Sequence, residues 1–484
     1  MKYIDKFLNG ITMYRLLLYF LIALLLVASV YSAIGLLPFN YVSFIVSILF
    51  LLSVSLLSNA LFAHVFEAHT NVESVYISSL ILSLIIAPAK DIHGLIFLGW
   101  AGVLTTASKY ILNIKKKHIF NPVAIAVALT AFVLGDSAIW WVGNAYLLPF
   151  VLAGGILIVR KIQREDLFFS FLVTATAVTL LHNPALFLRL FTDTPLLFFA
   201  TVMLTEPLTT PPTKHFRIIY GIIIGLLFAP QIRFMTPELA LLIGNIYSYF
   251  VSPKEKLLLR LKEKIELAPH IFDFVFEDHT DFAFIPGQYM EWTLGHSKPD
   301  DRGNRRYFTL ASSPTEKSIR VGVRFSDASS TFKKTLLGMT PGSTIVAGQR
   351  SGDFVLPEDP GQKLVFIAGG IGITPFRSII KYITDTNERR DIVLFYCVRS
   401  ESEIVYKDVF EAAEKLTGMK TVYIITQRDG RLDRNKMAAF VPDWNKRMFY
   451  LSGPNSLVNG FSATLRDLGV HESRIKTDFF PGFM

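Results

Sequence analysis

The sequence predicts a multi-domain protein: an α-helical polytopic membrane domain over residues 1–252, a domain of short β-strands over 253–358 and an α/β domain over 359–484. Three observations carry this reading. Apolar runs recur from Met13 to Phe250 with short loops between them, in a chain that is 51% hydrophobic with a mean hydropathy of +0.43. After Ser252 a charged connector, Lys254 to Lys264, ends that pattern abruptly. Beyond it come short alternating strands with Pro/Gly turns to about Leu356, then strands alternating with helices as in a parallel sheet.

A helix that crosses a bilayer needs about 20 mostly apolar residues. Ten spans are expected, centred near Leu24, Phe50, Leu80, Phe97, Val127, Ala153, Val173, Phe198, Ile223 and Leu242. The third, seventh and ninth runs are short, which suits tilted or broken helices. The first run lacks a small-residue cleavage site and is followed at once by the second, so it is read as a retained helix.

Orientation follows from the basic residues, which accumulate on the cytoplasmic side. Lys2 and Lys6, Lys115 to Lys117, Arg160, Lys161 and Arg164, Lys214 and Arg217, and Lys254, Lys256 and Arg260 fall at alternate ends of the ten spans. The opposite loops hold isolated charges such as Lys90, Asp136, Arg189 and Arg233. The expectation is a multi-pass protein of the cell membrane with both termini and the soluble half in the cytoplasm.

Lys and Arg total 48 against 39 Asp and Glu, and much of the excess lies between apolar segments, so the lipid bilayer is the expected partner and nucleic acid is not. Cys397 is the sole cysteine, whereas an iron–sulfur cluster held by one chain needs about four thiolates. No metal ligand set is singled out.

Four local signals follow one another in the soluble half. Pro286-Gly287-Gln288-Tyr289 opens a strand. Arg306-Tyr307-Phe308-Thr309, continuing to Pro314, puts a guanidinium, aromatic rings and a hydroxyl on one extended segment, suited to a pyrophosphate and a flat heteroaromatic ring. Ser329, Ser330 and Thr331 place hydroxyls at a helix start, where backbone amides also favour phosphate. Phe366 to Pro375 is a buried-type strand running through Gly369, Gly370 and Gly372 into Thr374-Pro375, a turn in which bare backbone can approach a dinucleotide pyrophosphate and proline suits the first helical turn.

Together these segments resemble the ferredoxin–NADP reductase superfamily over about residues 256–484. The resemblance implies an antiparallel FAD-binding barrel followed by an NAD(P)-binding domain, with hydride passing from NADH or NADPH to the flavin. Arg306, Phe308 and Thr309 then match the family's Arg-x-Tyr-Ser/Thr flavin segment, with Tyr307 between them and Phe308 in place of the usual Tyr. Ser330 and Thr331 fall in its phosphate-binding turn. Ser452-Gly453-Pro454 stands where the family commonly has Cys-Gly-Pro beside the nicotinamide, so Thr309 and Ser452 are the expected catalytic residues. The closing residues 477–484 are similar to the aromatic tails of fused members, with Phe480 expected against the flavin, and Arg399, Arg428 and Arg431 are candidates for a 2′-phosphate.

In the membrane half two proline-interrupted polar loops stand out, Asn121-Pro122 after a basic loop and Thr205-Glu206-Pro207 after the eighth run. Such backbone near a span end is tolerated where it lines a cavity, so both are expected to contact a membrane flavin or an electron acceptor. With Trp140-Trp141-Val142-Gly143 and Gly154-Gly155, they resemble the flavin-bearing membrane subunit shared by the sodium-pumping NADH:quinone reductase and the Rnf complex, over about residues 40–250. This implies electron flow to a membrane flavin and on to a quinone, another acceptor or a partner electron-transfer protein. The family's Asp-x-x-Ser-Gly-Ala-Thr attachment segment is reduced here to Gly135-Asp136-Ser137-Ala138-Ile139, so a membrane FMN or riboflavin is expected to be non-covalent.

Two other readings compete. Haem-bearing ferric reductases and NADPH oxidases carry a similar soluble half, but His64, His69, His93, His118, His182 and His215 mostly sit near expected span ends and do not form two pairs on facing helices. A transporter regulated by a reductase domain is disfavoured by sparse intramembrane charge.

Overall fold

A computed structural model describes the chain except residues 1–3, 5–6, 9–10, 67–71, 115–116, 229–233, 253–256, 278–281, 297–299, 301–302, 328 and 479–484. It divides into two compact units, Met1–Lys256 and Leu257–Met484.

The first unit is helical: α1 (Met13–Ala33), α2 (Tyr41–Val65), α3 (Val72–Ile85), α4 (Ile92–Ile111), α5 (Pro122–Val133), α6 (Leu148–Ile162), α7 (Glu165–His182), α8 (Lys214–Phe228) and α9 (Pro237–Val251). A two-residue hairpin, β1 (Asn113–Ile114) with β2 (Lys117–His118), links α4 to α5. Helix starts follow from side chains that accept the first free backbone N–H groups: Thr12 before α1, Asn40 before α2, Asp91 before α4, Asn121 before α5 and Thr236 before α9. Proline occupies the first turn of α5, α6 and α9, where no N–H is needed.

Each of the ten expected centres falls inside a helical segment, yet the expected count of ten spans is corrected. Among the described residues α1, α2 and α7 are long and apolar enough to cross a membrane, and Pro184–Thr192 with Leu196–Met203, bent by 65°, would make a fourth. The seventh run, expected to be short, is one of the three. Helices α3 and α5 have 14 and 12 residues, a rise of about 21 and 18 Å against a hydrocarbon core of about 30 Å. The physical reason is that an apolar run does not say whether it faces lipid or protein. Helix α3 is buried throughout Ile77–Ile85, whereas α2 leaves Val42, Leu49, Leu57 and Leu61 exposed.

The second unit holds two sheets. The antiparallel one comprises β3 (Leu257–Ala268), β4 (Ile271–Phe276), β5 (Tyr289–Thr293), β6 (Arg305–Thr309), β7 (Ile319–Arg324) and β8 (Thr344–Ser351), in the order β6-β5-β8-β3-β4-β7. Register shifts at Leu261/Glu263 and Glu266/Ala268 bend β3, so that its first residues pair with β8 and the rest with β4. The expected closed barrel is corrected to an open, curled sheet: among the described residues no ladder joins β6 to β7. Past the end of β6, Leu310 N–H continues the pairing with the β5 side by donating to the Gln288 carbonyl (3.0 Å), and Pro314 has no N–H to give. The two edges meet where Ala311 N–H donates to the Arg320 carbonyl (2.8 Å). Leu259, Phe274, Phe276, Trp292, Phe332 and Ile345 fill this sheet's core, and α10 (Thr331–Leu337) supplies Phe332.

The parallel sheet has the order β11-β10-β9-β12-β13, built from β9 (Leu364–Gly369), β10 (Ile392–Val398), β11 (Lys420–Ile425), β12 (Met448–Ser452) and β13 (Ile475–Asp478). Helices α11 (Thr374–Asp385), α12 (Lys407–Thr417), α13 (Arg434–Phe440) and α14 (Asn455–Asp467) connect the strands. All six residues of β9 and all seven of β10 are buried, which explains their unbroken apolar runs. Phe366, Phe376, Ile380 and Tyr450 pack one face, and Val365, Phe395, Met437 and Phe461 the other. The chain builds outward from β9 to β11, then returns to place β12 on the opposite side of β9. The order therefore reverses between β9 and β12, the place where open α/β sheets leave a crevice at the carboxyl ends of their strands.

Candidate active site

The glycine segments meet at that reversal. Strand β9 delivers Gly369 into the turn Gly370–Ile373, and the neighbouring β12 ends in Ser452, followed by Gly453 and Pro454. A Cβ on Gly372 would fall 2.5 Å from Gly453 N and Cα, and one on Gly453 would fall 2.9 Å from Gly369 Cα. The two turns thus touch backbone to backbone. Gly370 differs: it is left-handed (φ +54), and a Cβ there would meet only Arg324 Nη1, at 3.6 Å, so its backbone faces open space. Thr374 Oγ1 donates to the Ile371 carbonyl (3.2 Å) and Pro375 lies in the first turn of α11. Pro454 immediately precedes α14.

The other expected catalytic residue converges on the same place. Thr309, at the end of β6, and Ser452 each donate a hydroxyl to Oδ2 of Asp478, both at 3.3 Å. Asp478 ends β13, and all three residues are buried. Burial pushes its carboxyl up to about 7, against the opposing pull of the Ser452 and Thr309 hydrogen bonds. Sequence reasoning missed Asp478, because the pairing with Thr309 spans 169 residues. Its one local signal was an acid closing the final strand just before an aromatic tail.

Along β6 the side chains alternate. Arg306 and Phe308 lie on the side of Phe332, the Arg306 guanidinium 5.1 Å from that ring's centroid and the Phe308 ring 6.1 Å from it. Tyr307 lies on the other side with Thr309, where its hydroxyl donates to Glu291 Oε2 (3.0 Å) and its ring meets Tyr289 edge-on. Arg306 is buried, with Nη1 donating to the carbonyls of Arg305 (2.5 Å) and Gly303 (3.3 Å).

The hydroxyls before α10 are engaged locally. Ser329 Oγ accepts from Ser326 N–H (2.9 Å) and Ser330 Oγ from Lys333 N–H (3.3 Å). Thr331 N–H donates to Asp300 Oδ2, and Asp300 N–H to Thr331 Oγ1, both at 3.0 Å. A carboxylate therefore stands at this helix start. Arg399 and Arg428 lie at the carboxyl ends of β10 and β11, where Gln427 N–H donates to the Arg399 carbonyl (3.2 Å), and Arg428 pairs with Asp429 (2.8 Å). Arg431, exposed, follows two residues after Asp429. Phe480 lies outside the described residues.

In the helical unit the two expected polar loops come together. Asn121 Nδ2 donates to Glu206 Oε2 (2.8 Å), Asn121 N–H donates to Asn245 Oδ1 (2.8 Å), and Asn121 Oδ1 caps α5 through Val123 and Ala124 N–H. Thr209 Oγ1 also reaches Glu206 Oε2 (3.1 Å), and Asn245 Nδ2 reaches the Tyr220 hydroxyl (2.9 Å). Thr205 bonds the Thr201 carbonyl (2.7 Å), while Pro122 starts α5 and Pro207 lies in the turn after Glu206. Sequence reading did not single out Asn245, or Glu238, which is buried and accepts from Trp140 Nε1 (3.0 Å).

Residues 366–462, from β9 into α14, match the model of the oxidoreductase NAD-binding domain. The NADPH oxidoreductase of Mycobacterium tuberculosis is 26% identical over 183 residues, 37% of this chain and 47% of that protein. The stachydrine N-demethylase reductase subunit Stc4 of Rhizobium meliloti is 26% identical over 226 residues, 44% of this chain and 63% of that protein. The chain thus spans less than two thirds of either curated relative. The flavohem-like FAD/NAD-binding domain of nitric oxide dioxygenase from Vibrio cholerae aligns with a TM-score of 0.40 at 20% identity, covering 46% of this chain and 98% of that domain.

Proposed function

We propose that this chain is a membrane-embedded FAD-dependent NAD(P)H oxidoreductase. Electrons pass from cytoplasmic NADH or NADPH through FAD to a carrier in the helical unit, and on to a quinone or an extracytoplasmic acceptor. The observation that carries the reading is the convergence of Thr309, Ser452 and Asp478 at the topological switch point, beside the glycine turn.

The residues present fit the two cofactors. The open backbone at Gly370 leaves room for a nucleotide pyrophosphate, which Thr374 and the start of α11 border. Arg306 supplies the guanidinium for the FAD pyrophosphate, Phe308 a ring and Thr309 a hydroxyl for the flavin edge. Ser329, Ser330 and Thr331 border the phosphate turn, where an incoming phosphate has to displace Asp300. Bound FAD would supply an acceptor for the two-electron hydride and a donor of single electrons. Ser452 and Gly453 position the nicotinamide, and Asp478 holds a proton next to both hydroxyls.

In the helical unit the Asn121–Glu206 contact and buried Asn245 form the polar lining for a non-covalent FMN, riboflavin or quinone head. Polar groups inside an apolar bundle are costly and are retained where they bind or relay something. The exposed apolar faces of α1 and α2 support the bilayer as this unit's solvent.

The test is an absorbance spectrum of the purified protein before and after each nucleotide. Flavin bands that bleach with NADH or NADPH are expected, and acid is expected to release all of the flavin. A sharp Soret band would sink the flavin-only route. Arg306→Ala is expected to lower FAD occupancy several-fold, because a charge-assisted pyrophosphate contact contributes about 1.5–3 kcal/mol. Full occupancy with unchanged nucleotide oxidation would remove Arg306 from the site.

A further inference from the structure

The first turns of α11 are tied to the antiparallel sheet by contacts that the cofactor assignments do not use. Arg377 is buried and grips Glu316 with two bonds (Nη1 to Oε2 2.6 Å, Nη2 to Oε1 2.9 Å), while Nη1 also donates to the Ala311 carbonyl (2.7 Å). Ser378 Oγ donates to the Ser312 carbonyl (2.6 Å). Ala311 and Ser312 directly continue the segment that ends β6 at Thr309, so one helix holds both the glycine turn and the flavin-side strand end.

A second tie comes from Tyr406. This residue is buried, takes the left-handed conformation (φ +59) just before α12, and donates its hydroxyl to Asp273 Oδ1 at 2.5 Å. Asp273, on β4, is fully buried, and Arg320 Nη1 lies 3.6 Å from its other oxygen. The guanidinium of Arg377 sits 5.3 Å from the Tyr406 ring centroid, which joins the two ties.

The Tyr406–Asp273 tie meets Thr374, the first residue of α11, at Gly322 on β7. A Cβ there would fall 2.6 Å from Tyr406 Oη, 2.8 Å from Thr374 Cγ2 and 3.3 Å from Asp273 Oδ1. Thr374 and the Tyr406 hydroxyl therefore share a notch that exists because Gly322 has no side chain. Thr374 passes the position on, since its own hydroxyl bonds the Ile371 carbonyl in the glycine turn.

We propose that the Tyr406–Asp273 and Arg377–Glu316 pairs form a clasp that sets the glycine turn against the Thr309 segment, making Tyr406 a positioning residue for hydride transfer. The inference rests on the nucleotide and FAD assignments above. Buried charges keep their value only with every partner in place, so the network commits the two sheets to one relative arrangement. Hydride transfer needs that arrangement, because a displacement of about 1 Å at the reacting centre costs on the order of a hundredfold in rate.

The experiment is rapid-mixing flavin reduction in the full-length protein, expressed per bound FAD at saturating nucleotide. Tyr406→Phe is expected to slow reduction about tenfold or more, with nucleotide affinity and FAD content within about twofold of wild type. Gly322→Ala, which intrudes on the same notch from the opposite side, is expected to give the same split. An unchanged rate per bound FAD in either variant overturns the clasp's role, including a variant that melts earlier and loses FAD but keeps its rate. A wild-type flavin that neither nucleotide bleaches overturns the cofactor assignment itself, a result that separates the two failures.

Discussion

Gly372→Ala is expected to abolish nucleotide-driven flavin reduction while leaving FAD bound. The added methyl would lie 2.5 Å from two backbone atoms of Gly453 and 2.6 Å from the Ser452 carbonyl carbon. A flexible side chain can swing away from such an intrusion, but main chain at the end of a buried strand cannot. Overpacking ordinarily costs about 1–3 kcal/mol, and here it must part the turns after β9 and β12 that frame the crevice. Gly370→Ala provides the contrast. Its methyl would rest at 3.6 Å from Arg324 Nη1, an ordinary van der Waals contact, so its cost is confined to the left-handed backbone (φ +54), roughly 1–2 kcal/mol. Nucleotide affinity, measured by titration with oxidised cofactor, is expected to vanish in the first variant and to weaken about tenfold in the second. Equal behaviour of the two alanine variants would mean that the turns do not form the nucleotide site.

The difference between these glycines was not legible in the sequence, although the turn itself was. Phe366 to Pro375 reads as strand, turn and helix because a parallel strand covered on both faces must be apolar throughout, and glycine followed by threonine-proline punctuates it. Which glycine touches the neighbouring turn depends on Gly453, far along the chain. The same limit hid Asp478, Tyr406 and Asp273, whose partners lie 26 to 169 residues away. In the helical half the positions of the helices were readable, since each expected centre lies in one, but their roles as spans were not. Asn121-Pro122 and Thr236-Pro237 begin helices of 12 and 15 residues, and hydropathy alone does not separate such short helices from full spans. The antiparallel strands were readable from alternation and turns. Whether their sheet closed depended on the residues after β6, where a single bond, from Ala311 N–H to the Arg320 carbonyl, reaches β7 without forming a ladder.

Asp478→Asn is expected to remove a pH dependence of both stability and rate. The carboxyl titrates at 3.8 when solvated and at about 7 in the fold, because burial disfavours its charge. Below about pH 4 both folded and unfolded chains carry the proton, and this group leaves stability unchanged. Between about pH 4 and 7 the unfolded chain releases the proton while the folded chain keeps it. Stability therefore falls as pH rises through this window, by roughly 4 kcal/mol in all. Above the folded value both states are ionised and the loss is complete. Asparagine cannot ionise, yet its carbonyl oxygen still accepts from Thr309 and Ser452, so the variant is expected to lose this slope and to be the more stable protein at pH 8. Activity should move the other way. With both hydroxyls donating to Oδ2, the carboxyl proton is expected on Oδ1, and on the proposed hydride-transfer route it serves the reacting centre below about pH 7. Turnover in the wild type is expected to decline above that pH. In the variant it should be flat with pH and lower by about a hundredfold, the lower end of what positioned acid–base groups contribute. Denaturant titrations and steady-state rates across pH 5–9 test both parts. A wild-type profile that survives intact in the asparagine variant would place the titrating group elsewhere and leave Asp478 as a hydrogen-bond acceptor alone.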